Sequence, residues 1–440
     1  MKDFITSTFN IEPHRIESFH SLKEDDSLNF YIILIKEPQD CPVCGAASIF
    51  YGTRKKIIKH PTVSSLNGNI IWMAHRYRCS SCHHIFLEKN PFSFGGLSIS
   101  IATQRAIMFD LKNPNLTYKD IATKHNVSPS TVQRLFDSWV TAPRQKLPES
   151  IGIDEIHSKM AKYNSSYLCT IVDNVDRSLI EILPTRAKYQ LNNYFDTVPQ
   201  DEKNSVLYVT IDMWEPYLHV ANRNFKNAVV AIDPFHVVKH LSDAFSKIRI
   251  DIMNQSVYGS DSYYLLKSWH RLLETDYELD NEPKFNHHFK KKLNYRDLYN
   301  MLLNISEDLS LAYQLKETYR RFNKEASFDN AEVWLNQIID TFTKADIPRY
   351  REFVNLLHHW KPYIINSFLR PHGNRKLSNA LSENINSQIR AYLAVSRGNA
   401  NFTRFRKRML YCLNRHVFYS ATGFLKSDKR QGKPRKKETK

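Results

Sequence analysis

The stretch SVLYVTIDMWEPYLHVANRNFKNAVVAIDPFHVV, residues 205–238, leaves this chain few ways to fold. Residues 206–211 are β-branched and continuously apolar, the mark of a strand buried on both faces, and they end at Asp212. Residues 213–223 then place Met213, Tyr217, Val220 and Ala221 at helical spacing, and residues 228–232 form a second buried strand ending at Asp233. Strand, helix and strand in so short a span make a βαβ unit, whose strands lie parallel. In parallel sheets functional side chains gather at the carboxyl ends of the strands, where Asp212 and Asp233 stand. An Asp there also serves as a turn residue or helix N-cap, so a functional role needs partners from elsewhere in the chain.

Partners are available on both sides. IGIDE (151–155) reads as a strand carrying Asp154. Residues 167–172 and 179–183, joined by a polar turn, read as a hairpin, and a helix over about 188–197 leads into the βαβ unit. Three strands, helix, strand, helix, strand is the order of an RNase H-like core. In that fold the first and fourth strands are neighbours, so Asp154 is expected beside Asp212. Residues 246–370 carry long helical patterns and read as an all-helical insertion. In the segment 376–390, Leu381, Ile385 and Ile389 make an apolar stripe, while Asn379, Glu383, Asn386 and Arg390 share the opposite face. Such a face is ordinarily solvated, but Glu383 also offers the third carboxylate the site needs.

The N-terminal third reads as two modules. Cys41-Pro-Val-Cys44-Gly45 and Cys79-Ser-Ser-Cys82 can deliver four thiolates to one structural Zn²⁺, and the β-type segments between them favour a zinc ribbon, within residues 1–92, over a helical finger. Arg76 and Arg78 would give the ribbon a basic face, His83 and His84 read as surface residues, and Cys169 and Cys412 as core. Residues 98–142 read as a helix-turn-helix: Asn126 suits the left-handed turn, Ser128 the N-cap and Pro129 the first helical position. Val132, Leu135, Phe136 and Trp139 then face the core, and Ser130, Gln133, Arg134 and Asp137 face outward, where base edges would be read. Pro143 and Pro148 mark a linker.

Lys plus Arg number 62 against 45 Asp plus Glu, a net charge of +17, which points to a polyanionic partner, nucleic acid first. No uncharged apolar run of about 18 residues and no secretory segment is visible, so the expected place is the cytoplasm, at a bacterial nucleoid, with reduced cysteines. The Lys/Arg-rich residues 426–440 are expected to be a disordered electrostatic arm.

The motifs IGIDE (151–155), TIDMWEPYL (210–218), AIDPFHVVK (231–239) and LSNALSENINSQIR (377–390), in this layout, resemble the DDE transposases of bacterial insertion sequences, specifically the ISL-three family. The resemblance implies a multidomain α/β chain: the ribbon, the helix-turn-helix, an RNase H-like core over 150–245 and 371–425, and the insertion between. It implies Asp154, Asp212 and Glu383 as a catalytic triad holding two Mg²⁺, with Asp233 and His236 as an auxiliary Asp-x-x-His pair. It further implies that Arg390, beside Ser130, Gln133 and Arg134, contacts DNA. The partners are double-stranded DNA, both element ends and target, bound by a homodimer or larger assembly. At Asn384 the chain departs from the family, which usually has Gly after the Glu. The residue types suit the chemistry, since Mg²⁺ prefers hard oxygen ligands and phosphodiester cleavage uses two such ions. A non-catalytic, sequence-specific DNA-binding protein, such as a repressor or domesticated transposase, would use the same N-terminal modules and stays open at this point.

Overall fold

The computed structural model describes residues 2–9, 11–63, 65–94, 97–396 and 401–421; the basic residues 426–440 lie outside them. The chain divides into two compact units, Met1–Arg144 with Ser387–Lys440, and Gln145–Asn386.

The first unit opens with α1 (Lys2–Phe9) and a six-stranded sheet of β1 (Ile16–Glu24), β2 (Ser27–Leu34), β3 (Gln39–Asp40), β4 (Ala47–Val63), β5 (Leu66–Cys79) and β6 (Ile85–Leu87), ordered β1-β2-β5-β4-β3 with β6 also on β5. All pairings are antiparallel except β2 on β5. Near the β2–β5 junction Ile5, Phe9, Phe30, Ile32, Ile70 and Trp72 form a small core. The far end of the long β4–β5 hairpin carries the cysteines. Three helices follow: α2 (Ile101–Asp110), α3 (Tyr118–Lys124) and α4 (Pro129–Trp139). Thr117 and Asp120 form a capping box on α3, Asn126 takes a φ of 50°, and Ser128 caps α4 ahead of Pro129, so the turn chemistry read from the sequence is the turn chemistry found. The basic helix Phe402–Leu413 belongs to this unit, its Tyr411 hydroxyl bonded to the Met108 carbonyl and Arg408 buried against the Asn113 and Leu116 carbonyls. Residues 371–425, expected as one closing piece of the core, are thus divided between the two units.

The second unit is built on β7 (Ser150–His157), β8 (Tyr167–Asp173), β9 (Ser178–Leu183), β10 (Tyr208–Ile211) and β11 (Val229–Ile232), ordered β11-β10-β7-β8-β9. β7, β8 and β9 run antiparallel in turn, while β10 runs parallel to both β7 and β11. The first and fourth strands are therefore neighbours, with Ile211 opposite both Ile153 and Ile232. The register places Asp154, Asp212 and Asp233 in a row across three strands. α5 (Lys188–Asp196) and the short α6 (Gln200–Asn204) precede β10, and α7 (Glu215–Asn224) links β10 to β11. Met213, expected inside α7, lies before it, because the helix starts at Glu215 with Pro216 in its first turn.

From β11 the chain passes directly into α8 (Pro234–Gln255), then α9 (Asp261–Ser268), a hairpin of β12 (Lys284–Asn286) and β13 (Lys291–Leu293), and α10 (Tyr295–Leu303), α11 (Glu307–Glu325), α12 (Phe328–Ala345) and α13 (Arg351–Asn366). The insertion is not wholly helical: Asn286 Oδ1 accepts the His288 and Phe289 amides and Lys290 adopts a φ of 51°, which turns the chain back on itself. Apolar residues of sheet and insertion merge into one core. α14 (Ala380–Val395) lies against the sheet, so close to β7 that a Cβ on Gly152 would stand 2.4 Å from Ser382 Oγ and 3.1 Å from Asn379 Oδ1. Only glycine admits the helix there. Among the described residues no helix is long and apolar enough to cross a membrane.

Candidate functional site

Two sets of carboxylates converge at the strand ends. Asp154, Glu155 and Asp212 bring one ligand atom each within 4.8 Å of one another, and so do Asp212, Asp233 and His236. Asp212 belongs to both sets. His236 Nε2 lies 3.0 Å from Asp212 Oδ1. Asp233 Oδ1 accepts the Phe235 amide at 3.3 Å and so caps α8, while its Oδ2 is buried without a hydrogen-bond partner among the described residues. Glu155 Oε1 receives Arg186 Nη1 at 2.5 Å, and the Arg186 guanidinium lies over the rings of Tyr167 and Trp214. Alternation along a strand sends neighbouring side chains to opposite faces, which is why sequence reasoning passed over Glu155 beside Asp154.

So much negative charge out of water is not at ease. Burial, then the charge of Asp212, pushes the Asp154 carboxyl from its usual 3.8 up to about 8. Burial raises Asp233 to about 6 and also raises Glu155. The hydrogen bond to Asp212 raises His236. Linkage fixes the sign of the consequence. Below pH 4 both folded and unfolded chains keep the Asp154 proton; between about 4 and 8 only the folded chain does, so stability falls as pH rises through that interval. In magnesium-free buffer the melting temperature of Asp154→Asn should therefore exceed that of wild type by a margin that widens from pH 4 to pH 8. A margin independent of pH would remove Asp154 as the cause.

The polar face of α14 holds this row in place. Asn379 is fully buried: its Nδ2 donates to Asp212 Oδ1 and to the Ile153 carbonyl, both at 3.2 Å, and its Oδ1 accepts the Thr210 hydroxyl at 2.6 Å. Asn386, two turns on, repeats the pattern, with Nδ2 on Asp154 Oδ2 at 2.7 Å and Oδ1 accepting the Thr170 hydroxyl at 2.9 Å. Asn379 and Asn386, on the face that periodicity marks as polar, are thus turned to the sheet, not to water. Glu383, between the two amides, is half-buried; it lies outside both convergent sets, yet its charge helps raise Asp233. Asn384 is exposed, as is Arg390 farther along the helix. Asn386→Leu leaves Asp154 Oδ2 without its donor and should weaken Mg²⁺ binding about 10–100-fold, as loss of an outer-shell partner does. Calorimetric titration with Mg²⁺ reads this directly, and an unchanged affinity would show that the amide only fills space.

In the first unit Cys41, Cys44, Cys79 and Cys82 converge, with Sγ–Sγ separations of 3.4–3.6 Å for three of the pairs. A tetrahedral Zn²⁺ with bonds of about 2.3 Å sets sulfurs about 3.8 Å apart, so the four thiols fit that ion with small adjustment. The Ser81 and Cys82 amides point at Cys79 Sγ, both at 3.3 Å, and against the opposing effect of burial they bring that thiol down to about 6. Gly45 and His83 hold matching left-handed positions, φ 73° and 58°. His83 and His84 are exposed.

On α4, Ser130 and Arg134 are exposed, but Gln133 and Asp137 are engaged. Arg404 of the Phe402–Leu413 helix binds Asp137 at 2.8 Å, and Gln133, with its amide oxygen turned toward Arg404, accepts from both guanidinium nitrogens at 2.8 Å. Lys407 donates to the Asp137 carbonyl. Of the side chains expected to read base edges, Gln133 is thus occupied within the protein.

A family model described as Transposase matches residues 151–409, from β7 into the Phe402–Leu413 helix, and so takes in Asp154, Asp212, Asp233, His236 and Glu383. No curated protein matches the chain. A match over more than half of the length, on the segments that converge at these strand ends, places the chain in the ISL-three family of DDE transposases.

Proposed function

We propose that this transposase binds the terminal inverted repeats of its insertion sequence and catalyses metal-dependent cleavage and transfer of DNA strands from an RNase H-like core. The observation that carries the reading is Asp212, shared by two convergent ligand sets at the ends of adjoining parallel strands. The strand order β11-β10-β7-β8-β9 supports the RNase H-like assignment. The residues fit Mg²⁺: the donors are mainly hard oxygens, they repel one another when bare, and Asp233 Oδ2 and Glu155 Oε2 are buried without partners among the described residues. Asp154, Asp212 and Glu383 would hold the ions. Bound there, Mg²⁺ would supply the charge that activates the attacking oxygen and neutralises the leaving one.

The chain's own residues set the geometry. Asn379 and Asn386 aim the Asp212 and Asp154 carboxylates. His236 holds Asp212 Oδ1 from the other side, and the Asp233 cap fixes the helix that carries His236. The α3–turn–α4 segment serves as a helix-turn-helix in which Ser130 and Arg134 face DNA, and the four-cysteine end of the β4–β5 hairpin serves as a zinc ribbon. Arg390 adds a DNA contact, and the active species on paired ends is a homodimer or larger. The protein acts on DNA at the bacterial nucleoid.

The deciding experiment is a nicking assay on labelled element ends with Mg²⁺, beside a gel shift on the same DNA. Cleavage at the repeat boundary is the expected result. Tight binding with no cleavage in Mg²⁺ or Mn²⁺ would replace this reading by that of a DNA-binding repressor.

A further inference from the structure

A cavity of about 220 Å³ opens in the second unit between the β8–β9 turn and the segment leading into α14. Arg177, His372, Arg375 and Lys376 line it together with Asn174 and Ser378, and no acidic side chain does. Two carboxylates of the β8–β9 turn are not among its lining: Asp173 Oδ1 accepts the Val175 and Asp176 amides, and Asp176 is exposed.

The two arginines are displayed, not spent. Arg177 and Arg375 are exposed and form no ion pair or hydrogen bond among the described residues, and His372 Nε2 is buried without a partner. Lys376 is anchored, its ammonium on the Asn323 carbonyl and 3.9 Å above the Phe368 ring, so it lends fixed charge to the wall. Arg177 also holds a φ of 54°, a left-handed conformation that suits Asn or Gly and is strained for Arg. The loop bearing the other three is shaped by Gly373, φ 83°, and by Arg370 bonded to the Asn374 carbonyl. Leu381, in the first turn of the sixteen-residue α14, also lines the cavity, and a helix amino end carries partial positive charge.

The cavity also shares its wall with the carboxylate row. Asn174 donates to the Thr210 hydroxyl at 3.0 Å, and that hydroxyl donates to Asn379, whose amide holds Asp212. Ser378 lines the cavity, and the next residue is Asn379.

We propose that this basic cavity is a phosphate site for the DNA strand being cut, taking a backbone phosphate that flanks the one at Asp154 and Asp212. The chemistry recognised is a phosphate oxygen, met by the forked donors of Arg177 and Arg375. The location rests on the proposed cleavage site, and the experiment separates the two.

Full-length protein is bound, in Ca²⁺ and without turnover, to element-end duplexes in which single backbone phosphates near the boundary are replaced by neutral methylphosphonates. In wild type, one or two adjacent positions should each weaken binding roughly tenfold, the scale of a lost charge-assisted contact. In Arg177→Asn/Arg375→Ser that penalty should disappear, and Asn at 177 also relieves the strained φ, so folding is preserved. Arg296→Ser/Arg351→Ser removes the same charge from side chains paired with Asp280 and Asp346, and should leave the penalty intact. If no position loses its effect in the Arg177/Arg375 variant, the cavity does not hold DNA. If that variant instead abolishes binding of inorganic phosphate while all methylphosphonate penalties persist, the cavity is a small-anion site and the proposal falls. A penalty that disappears as expected in a protein that never cuts with Mg²⁺ would leave the phosphate site standing and refute the cleavage reading alone.

Discussion

Asp212→Asn should abolish strand cleavage and joining while element ends are still bound. The substitution keeps the side chain's shape and its place at the end of β10, so the Asn379 and His236 contacts lose strength but the fold has no reason to change. What disappears is the charge common to both ligand sets. Metal ligation contributes several kcal/mol of transition-state stabilisation, and each 1.4 kcal/mol is tenfold in rate, so a loss of roughly 10³-fold or more is expected. Without metal, the variant should bind ends as tightly as wild type or slightly more so, because one repulsive carboxylate would have left the place proposed for the phosphate. Glu383→Gln should behave alike, although Glu383 lies on α14 beyond the whole insertion and outside both convergent sets. Asp233→Asn is the comparison: it keeps an oxygen to cap α8, and its defect should be weaker. If Asp212→Asn or Glu383→Gln cuts at near wild-type rate, the triad is misassigned. If Asp233→Asn is as inactive as Asp212→Asn, then the Asp212, Asp233 and His236 set holds metal as well.

The row of carboxylates was legible because the strands that carry it are short, continuously apolar and joined by a single helix. The RNase H-like order of those segments put the first strand beside the fourth, and the structure adds the register, Ile211 opposite Ile153. The clamp behind the row was not legible. Periodicity divides α14 into an apolar and a polar face but is silent on what each face meets. Burying Asn379 and Asn386 is favourable only because Thr170, Thr210 and the carboxylates supply partners, and those lie more than 160 residues away. Gln133 shows the same limit. Its outward position on α4 followed from the helical period, whereas its occupation by Arg404 depends on a helix near the other end of the chain. The pairing of β2 with β5 is likewise long-range and parallel, and no turn signal announces it.

Removing zinc should unfold part of the first unit and leave the rest folded. The four thiols sit at the far end of the β4–β5 hairpin, where Val43, Ile49, Phe50 and Ile85 are exposed and little apolar surface is buried. The sulfurs crowd within hydrogen-bond range, and apart from them only the short β3–β4 and β5–β6 pairings tie this end, so an ion bound by all four would be its main tie. Near the β2–β5 junction the situation is reversed: Ile32, Ile70 and Trp72 are buried in a core that contains no cysteine. Zinc binding to such sites contributes on the order of 10–16 kcal/mol, so its loss is not compensated locally. Fresh protein should carry about one zinc per chain, and Cys79→Ser should lose it. After chelation, hydrogen exchange should reach amides 41–48 and 79–87 within the fastest time points, while amides 28–34 and 70–74 and the sheet of the second unit keep their protection. Absence of zinc in fresh protein, or unchanged zinc in Cys79→Ser, would remove the site. Simultaneous loss of protection at residues 28–34 would mean that the ion, rather than the aromatic core, holds the whole sheet.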